Sequence, residues 1–303
     1  MELKSVQVVM STYNGEKYLK EQIDSIMSQK NVDVNLYIRD DGSLDGSRDI
    51  ISTYKGNQRI DYDFGNNKGF VKSFLKALDS CSESEYYSFS DQDDVWKDDK
   101  LYTAVSMLEK EDSNIPVLYC SSLQRVDENL NYLDIQEYPG LLINLPSMLT
   151  RGRLAGCTFV FNNKLRELIK GSSEVILHAS HDSWVLLVCL SCGGKVIFDE
   201  KPHILFRRHG TNTSIDRGSL KNRLHYEFRY FKNYKNNRMD TAMELLNYVG
   251  PNISERNRAF LEKVVNYKSS LINRVKFAMC KEINCGISAA NLVNRITILF
   301  GNF

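Results

Sequence analysis

Residues 86–96 read YYSFSDQDDVW, an aromatic run that leads directly into three aspartates within four positions. Aromatic and β-branched side chains favour extended backbone, so the run predicts a buried strand that carries the aspartates at its carboxyl end. The same order of strand and polar turn occurs twice upstream. The segment VQVVMST at 6–12 leads to the turn pair NG, and the segment at 32–38 ends at RDDGS.

Between the predicted strands, apolar residues recur three and four positions apart, which is the spacing of one helix face. Strands that alternate with such helices form βαβ units with right-handed crossovers. The sequence therefore predicts an α/β fold with a Rossmann-like, mainly parallel sheet flanked by helices. The predicted strands are 6–12, 32–38, 59–64, 86–90, 116–126, 154–161, 195–198 and 204–208; the predicted helices are 16–29, 45–54, 70–78 and 183–190, with a polar loop at 127–153.

Composition excludes several classes of protein. The 303 residues are 42% hydrophobic and 25% charged, with 5 prolines, 17 glycines and no internal repeat, which argues against disorder and against a solenoid. No apolar run is long enough to span a bilayer, and the first residues lack the pattern of a signal peptide. Seven cysteines scattered through apolar segments are typical of reduced thiols, so we expect a cytoplasmic protein.

Charge divides the chain at about residue 220. Residues 1–220 carry 25 Lys and Arg against 32 Asp and Glu, whereas residues 221–303 carry 14 against 6. The acidic first part argues against nucleic acid as a partner. The basic amphipathic pattern of the second part is typical of helices that contact the inner face of the cell membrane. It is equally typical of helices that pack on a domain or form a homodimer contact.

Ligands of parallel sheets bind beyond the carboxyl ends of the strands. Asp40 and Asp41 follow the second predicted strand, and Asp91 and Asp93 follow the fourth, so we expect one crevice to collect all four. Two carboxylates separated by one residue lie on the same side of an extended segment and suit a hard divalent cation such as Mg²⁺ or Mn²⁺. An isolated Asp-x-Asp also occurs as an acidic turn that caps a helix. The motif alone leaves both interpretations open.

The wider set of motifs is more specific. In chain order they are STYNG at 11–15, RDDGSLDG at 39–46, NKGF at 67–70 and SDQDDVW at 90–96. In this combination the chain resembles the family 2 glycosyltransferases, which have the GT-A fold. Three later segments extend the resemblance to about residue 214: LAGC at 154–157, HDSW at 181–184 and FRRHG at 206–210. Within the family, the motifs are most similar to those of bacterial rhamnosyltransferases of surface polysaccharide biosynthesis.

The resemblance implies how a nucleotide-sugar donor and a Mn²⁺ or Mg²⁺ cofactor bind. Thr12 and Tyr13 line the base pocket, while Asp41, or its neighbour Asp40, accepts the imide N–H of uracil or thymine. For the aspartate pair, the structural alternative is an Asx turn. The predicted metal ligands are Asp93 and Asp91, and Asp91 holds the ribose or a water ligand of the metal. The predicted donor-binding set is Thr12, Tyr13, Asn14, Asp40, Asp41, Lys68, Gly69, Asp91, Gln92, Arg208 and His209.

The segment at 206–210 is implied to be a mobile loop that closes over the donor. Arg208 and His209 would there stabilise the negative charge on the leaving diphosphate. A solvated strand edge is the alternative for Arg207 and Arg208.

Catalysis is assigned by the same resemblance to Asp182. As general base it would remove a proton from the acceptor hydroxyl while the anomeric carbon is attacked from the face opposite the diphosphate, which inverts the configuration. From the residues alone, an N-cap of the following helix is the alternative. Much of the family has Glu-Asp where this chain has His181 and Asp182. Trp184 is expected either to stack on the acceptor or to lie in the core. The predicted acceptor-binding set is Asp94, Trp96, Gly156, His181 and Trp184.

The resemblance therefore implies an inverting, metal-dependent glycosyltransferase that moves L-rhamnose from dTDP-L-rhamnose to a growing cell-surface polysaccharide or lipid-linked acceptor. A UDP-hexose or UDP-N-acetylhexosamine donor fits the same motifs, and a non-catalytic nucleotide-sugar-binding scaffold is a third alternative. A dinucleotide oxidoreductase is disfavoured because GxGxxG is absent. The predicted domains are a GT-A catalytic domain at 1–218, with a nucleotide-sugar half at about 1–100 and an acceptor half at about 101–218, and a basic helical region at 219–303.

Overall fold

The computed structural model describes residues 3–175, 177–210 and 236–303. Within them, strands and helices alternate through the first half, and helices alone form the last part. The strands are β1 Ser5–Thr12, β2 Asp33–Asp40, β3 Ile60–Phe64, β4 Tyr86–Ser90, β5 Val95–Trp96, β6 Val117–Ser121, β7 Gln124–Val126, β8 Tyr132–Ile135, β9 Val160–Asn162, β10 Lys195–Asp199 and β11 Ile204–Arg207. The helices are α1 Leu19–Met27, α2 Ser47–Ser52, α3 Phe70–Ser80, α4 Lys100–Leu108, α5 Leu145–Thr150, α6 Asn163–Ile169, α7 His181–Ser191, α8 Asn237–Tyr248, α9 Glu255–Asn266, α10 Leu271–Ala278 and α11 Ser288–Leu299.

Seven strands form a mixed sheet in the order β10-β6-β9-β4-β1-β2-β3. Its pairs are parallel except that β9 runs antiparallel to β4 and β6. Thr12 lies opposite Asp40 in the register of β1 and β2, and Met10 lies opposite Ser90 of β4. The carboxyl ends of these three strands therefore meet at one edge, as the sequence predicts.

The sheet separates two hydrophobic cores because successive side chains of a strand point to opposite faces. Val9 of β1 packs into the core under α3 and α7. Val8 and Met10 pack into the other core, under α1 and α4. All three side chains are fully buried. Burial on both faces explains why β1 is a continuous apolar run rather than an alternating one.

Three of the predicted elements are wrong in detail. The strand expected at 116–126 is two strands, β6 in the large sheet and β7 in a second sheet of order β5-β11-β7-β8. The chain changes sheets at Ser122, whose N–H donates to Asp199 O while its hydroxyl donates to Gln136 O. No glycine or proline marks this bend, so the apolar pattern runs through it.

The loop expected at 127–153 contains β8 and α5. Asn144 caps α5 by accepting a hydrogen bond from Ser147 N, and Leu145 and Met148 are buried. The strand expected at 154–161 is a 3₁₀ turn, Gly156–Thr158, followed by the short β9. The turn matters for the site because it brings Gly156 against α7.

The prediction of a helical C-terminal part is confirmed for residues 236–303. The predicted boundary at 218/219 and the helix start near 220 lie outside the described residues. α8 packs on the catalytic part: Tyr248 contacts the Trp184 ring edge-on at 5.5 Å, and Glu244 accepts a hydrogen bond from His178 N. None of the helices in the described ranges is long and apolar enough to cross a membrane.

Candidate active site

Gln92 ties the aspartate turn after β4 to the end of β1. Its side-chain oxygen accepts hydrogen bonds from Thr12 Oγ1 at 2.6 Å and from Tyr13 N at 2.8 Å. Its amide nitrogen donates to Tyr13 O at 3.2 Å. A Cβ atom at residue 15 would lie 2.5 Å from Gln92 Oε1, so glycine leaves room for the Gln92 side chain in this position. The structure thus brings together the predicted donor-binding residues of the first and fourth motifs, and it leaves the Tyr13 ring exposed at the crevice.

Asp40 and Asp41 support the loops that follow β2 and β3. Asp40 Oδ1 accepts from Gly42 N and Ser43 N, which is the Asx turn, and from Arg48 Nε at 2.6 Å. Asp41 accepts from the backbone N–H groups of Lys68 and Gly69. Both carboxylates are buried. A direct contact of either one with a nucleobase stays a prediction; in this structure they fix the pocket wall.

Asn14 and Gly69 need left-handed backbone at this wall. Asn14 has φ of 50°, and its side-chain oxygen accepts from Leu44 N, which joins the first two motifs. Gly69 has φ of 81° and precedes the first residue of α3. Lys68 is exposed beside it. The motif residues thus define the loop geometry at the mouth of the crevice.

Asp93 lies against the loop after β11. His209 Nε2 is 2.8 Å from Asp93 Oδ2, and the His209 ring packs on Tyr18 with a centroid distance of 5.1 Å. The structure therefore joins the predicted metal ligand to the predicted diphosphate loop. Arg208 is partly exposed, and its N–H donates to Val126 O at 2.8 Å.

Arg207 is a site residue that sequence reasoning missed. The alternative of a solvated edge is wrong for it, because its side chain is 2% exposed. Its Nε donates to Asp93 O at 2.9 Å, and one terminal nitrogen donates to Glu128 O at 2.6 Å. The other pairs with Glu21, and the guanidinium lies over the Tyr18 ring. Arg207 therefore anchors the aspartate turn, residues 91–94, from the protein interior.

A second missed group lies under Asp91. Cys157 and Lys100 are both buried there, and the Cys157 sulfur lies within 4.8 Å of a carboxylate oxygen of Asp91 and of Asp94. Burial, then the charges of Asp94 and Asp91, raise the pKa of the Cys157 thiol, so it remains a protonated donor. Burial lowers the pKa of Lys100 to about 7. The Lys100 ammonium lies 3.5 Å from the centre of the Trp96 ring and 3.2 Å from Ser88 Oγ.

Three of the predicted acceptor-binding residues are buried, which argues against their direct contact with an acceptor. Trp184 is fully buried in the core, which was the alternative. Trp96 is buried in the other core, with Lys100 over its ring. Asp94 is 1% exposed and accepts a hydrogen bond from Arg207 N at 3.0 Å, and burial, then the charges of Asp93 and Asp91, raise its pKa. These three residues lie in the protein interior next to the site and support its loops by packing and hydrogen bonding.

His181 also faces inward rather than toward an acceptor. Its ring stacks on Phe74 at 3.9 Å and meets Phe89 edge-on at 5.0 Å. Burial lowers the pKa of His181, so the ring is neutral. A neutral imidazole in an aromatic cluster is a packing group.

Asp182 lies in the first turn of α7, partly exposed. The helix begins at His181 and its N-cap is Ser180, so Asp182 is not the N-cap that the residues alone left open as the alternative. Its Oδ1 accepts from Ser180 Oγ at 2.5 Å and from Ser183 N at 2.8 Å, and its Oδ2 accepts from Gly156 N at 3.2 Å. Three donors thus hold one carboxylate that stays partly exposed at the crevice. The positive end of the helix stabilises its negative charge.

Asp182 and Asp91 face the same space. The charges of Asp93 and Asp182 add to burial and raise the pKa of Asp91 to about 7. An excess of negative charge at the floor of a crevice suits a divalent cation, so the residues present fit the implied Mn²⁺ or Mg²⁺. The carboxylates of Asp93 and Asp91 would hold it. In the described ranges Asp91, Asp94 and Cys157 also bring ligand atoms within 4.8 Å of one another, but a protonated thiol does not suit a hard cation.

Gly156 is expected to position Asp182, because the two backbones approach closely. A methyl group at residue 156 would lie 2.4 Å from Asp182 Cβ and 3.0 Å from its Oδ2. We expect Gly156→Ala to displace the carboxylate and to lower kcat about 100-fold, the cost of misplacing a catalytic group by about 1 Å. Steady-state kinetics with donor titration measures this.

The matched control is Gly250→Ala, where an added methyl group meets nothing within 4 Å. We expect the control to keep wild-type kcat and both variants to keep donor affinity. An equal loss of kcat in the two variants, or an unchanged kcat in Gly156→Ala, contradicts the positioning role.

Sequence comparison agrees with this architecture. The model of glycosyl transferase family 2 matches residues 7–169, more than half of the chain. The chain belongs to glycosyltransferase family 2, and it is a glycosyltransferase. A dTDP-rhamnosyl transferase of Shigella flexneri, RfbG, is 26% identical over 223 residues, covering 67% of this chain and 72% of that protein. A putative teichuronic acid biosynthesis glycosyltransferase of Bacillus subtilis, TuaG, is 36% identical over 98 residues, covering 32% of this chain and 38% of that protein.

Structure comparison supports the fold. The crystal structure of S. aureus TarS 1-349 in complex with UDP-GlcNAc matches with a TM-score of 0.58 at 15% identity, over 98% of this chain and 90% of that chain. The predicted GT-A fold with C-terminal helices is confirmed.

Proposed function

We propose that this glycosyltransferase is inverting and metal-dependent, and that it transfers L-rhamnose from dTDP-L-rhamnose to a cell-surface polysaccharide or lipid-linked acceptor. The observation that carries the proposal is the Asp182 carboxylate. It is held by the N–H groups of Gly156 and Ser183, and it lies near enough to Asp91 for its charge to help raise the pKa of that carboxyl. A fixed, accessible carboxylate opposite the donor-side aspartates is what a general base for an acceptor hydroxyl requires.

The reaction balances with these groups. The acceptor oxygen forms a bond to the anomeric carbon while the bond from that carbon to the diphosphate oxygen breaks, and the electron pair leaves with the nucleoside diphosphate. The acceptor proton goes to Asp182. A bound Mn²⁺ or Mg²⁺ would neutralise negative charge on the diphosphate. Arg208, on the loop that reaches Asp93 through His209, is placed to add a cation at the same position.

The rhamnosyl donor is supported by the motif resemblance and by the name of the RfbG relative. A UDP-sugar is the second candidate because TarS was crystallised with UDP-GlcNAc. The names of RfbG and TuaG support a role in polysaccharide biosynthesis. A cytoplasmic location is proposed from the seven cysteines, which are all free thiols.

Calorimetric titration of the protein with dTDP-rhamnose, UDP-glucose, UDP-galactose and UDP-N-acetylglucosamine, each with and without Mn²⁺, tests the proposal. We expect tight binding of dTDP-rhamnose alone, and only with the metal. Asp93→Ala is expected to weaken metal-dependent binding at least tenfold, because it removes a carboxylate ligand. The exposed pair Asp98 and Lys30 offers a control in Asp98→Ala, which should bind like wild type.

Each other result is informative. Preference for a UDP-sugar keeps the chemistry and replaces the donor. Binding that is the same with metal and with a chelator contradicts the metal assignment. No binding of any of these donors supports the non-catalytic scaffold.

A further inference from the structure

The last helix of the chain buries Ala290 and Ile298, and it leaves a second row of large apolar side chains exposed. Along α11, Leu292 is 61% exposed and Phe300, just after its end, is 70% exposed, whereas Asn294 and Thr297 are 3% and 4% exposed. Ile296 and Leu299 lie on the same outer side at helical spacing and are also exposed. A helix that buries amide and hydroxyl groups and presents leucine, isoleucine and phenylalanine outward is built for an apolar partner.

The neighbouring helix repeats the arrangement. Leu271 is 73% and Met279 is 74% exposed, and Ile272 and Val275 between them are exposed too. α10 and α11 are held together from the inside, where Phe277 packs on Phe303 at 5.7 Å and Arg295 donates to Ala278 O. We call the exposed apolar residues of both helices the C-terminal apolar face.

The net charge of the last part of the chain indicates which partner covers the C-terminal apolar face. Residues 267–303 carry five basic residues, Lys268, Arg274, Lys276, Lys281 and Arg295, against one acidic residue, Glu282. Glu282 pairs with Lys263 of α9, which brings a further cation to the same side. Two copies of so basic a surface repel each other, which argues against a homodimer through it. An anionic bilayer attracts it, since basic residues near such a surface each contribute about 1 kcal/mol.

We propose that the C-terminal apolar face docks on an anionic phospholipid bilayer. The apolar side chains insert at the boundary between head groups and acyl chains, and the exposed Lys276 and Lys281 contact lipid phosphates. No helix of the described ranges spans a membrane, so the contact is peripheral. The inference goes beyond the proposed transfer reaction and does not depend on which donor or acceptor is used. It places the enzyme where a lipid-linked acceptor would be.

Flotation of the full chain with phosphatidylcholine vesicles, with and without phosphatidylglycerol, tests the proposal. We expect binding only to the anionic vesicles, falling as salt is added. The double variant Leu292→Ser/Ile296→Ser should bind vesicles about tenfold more weakly, because it removes two aliphatic side chains that insert into the bilayer. Lys276→Gln/Lys281→Gln should lose the preference for anionic lipid.

The matched control is Tyr132→Ser/Leu133→Ser, which removes two exposed apolar side chains of β8 on the catalytic part. We expect it to bind vesicles like wild type. Thermal melting and donor titration of every variant show whether each one is folded. Failure of donor binding in the wild type would overturn the proposed function and leave this inference standing.

Three results overturn the inference: no flotation with either vesicle, flotation that survives Leu292→Ser/Ile296→Ser, or equal binding to neutral and anionic vesicles. Sedimentation equilibrium is run on the same samples. A dimer that dissociates in the double variant, together with absent flotation, assigns the face to a second copy of the chain instead.

Discussion

Replacing Asp182 with asparagine is expected to lower kcat for sugar transfer about 10²–10⁴-fold, which is the usual contribution of a general base. An amide cannot take the acceptor proton at neutral pH, but it keeps the shape of the carboxylate. The amide oxygen still accepts from Ser183 N and Ser180 Oγ, the contacts of Oδ1 in the wild type, and only the longer contact of Oδ2 with Gly156 N is lost. The fold and the donor pocket should therefore remain, and donor affinity by calorimetry should change less than threefold.

The experiment separates catalysis from positioning. Asp182→Asn should depress kcat at every pH, whereas Gly156→Ala should leave a reduced rate whose pH profile keeps the wild-type shape, because the base is displaced but still present. Asp112→Asn, at an exposed aspartate beyond α4, is the control for the amide substitution. Transfer at wild-type rate in Asp182→Asn would remove this residue as the base, and loss of donor binding would make it a donor ligand instead.

The order of the motifs was sufficient to predict the geometry of the donor side. Parallel pairing of β1 with β2 and β4 requires only alternating strands and helices, and it forces the polar turns after these strands to one edge. The contacts of Gln92 with Thr12 and of Asn14 with Leu44 are the direct result. The local sequence pattern and the sheet topology agree here, so the motif order predicts which side chains meet.

The residues behind the site were not predictable in the same way. Trp96, Trp184 and His181 occur in polar motifs, and their burial depends on which core their strand or helix faces. Lys100 reads as a helix-surface lysine, yet it is fully buried beneath Asp91 and Asp94. A lysine is rarely buried without nearby opposite charge. Only the tertiary arrangement supplies the carboxyl groups that make its burial tolerable.

We expect Arg207→Ala to lower the free energy of unfolding by about 2–4 kcal/mol. The substitution removes the hydrogen bonds of a buried guanidinium to the partly buried Asp93 O and to Glu128 O, and a hydrogen bond from a charged group contributes about 1.5–3 kcal/mol. The aspartate turn also loses its anchor, so donor affinity should fall together with the thermal midpoint.

Arg207→Lys should recover part of the stability only, because an ammonium lacks the planar fork that reaches both carbonyls. Arg59→Ala, at an exposed arginine before β3, should melt like wild type. If Arg207→Ala melts like wild type but loses donor affinity, Arg207 acts on the donor and not as an anchor of the turn.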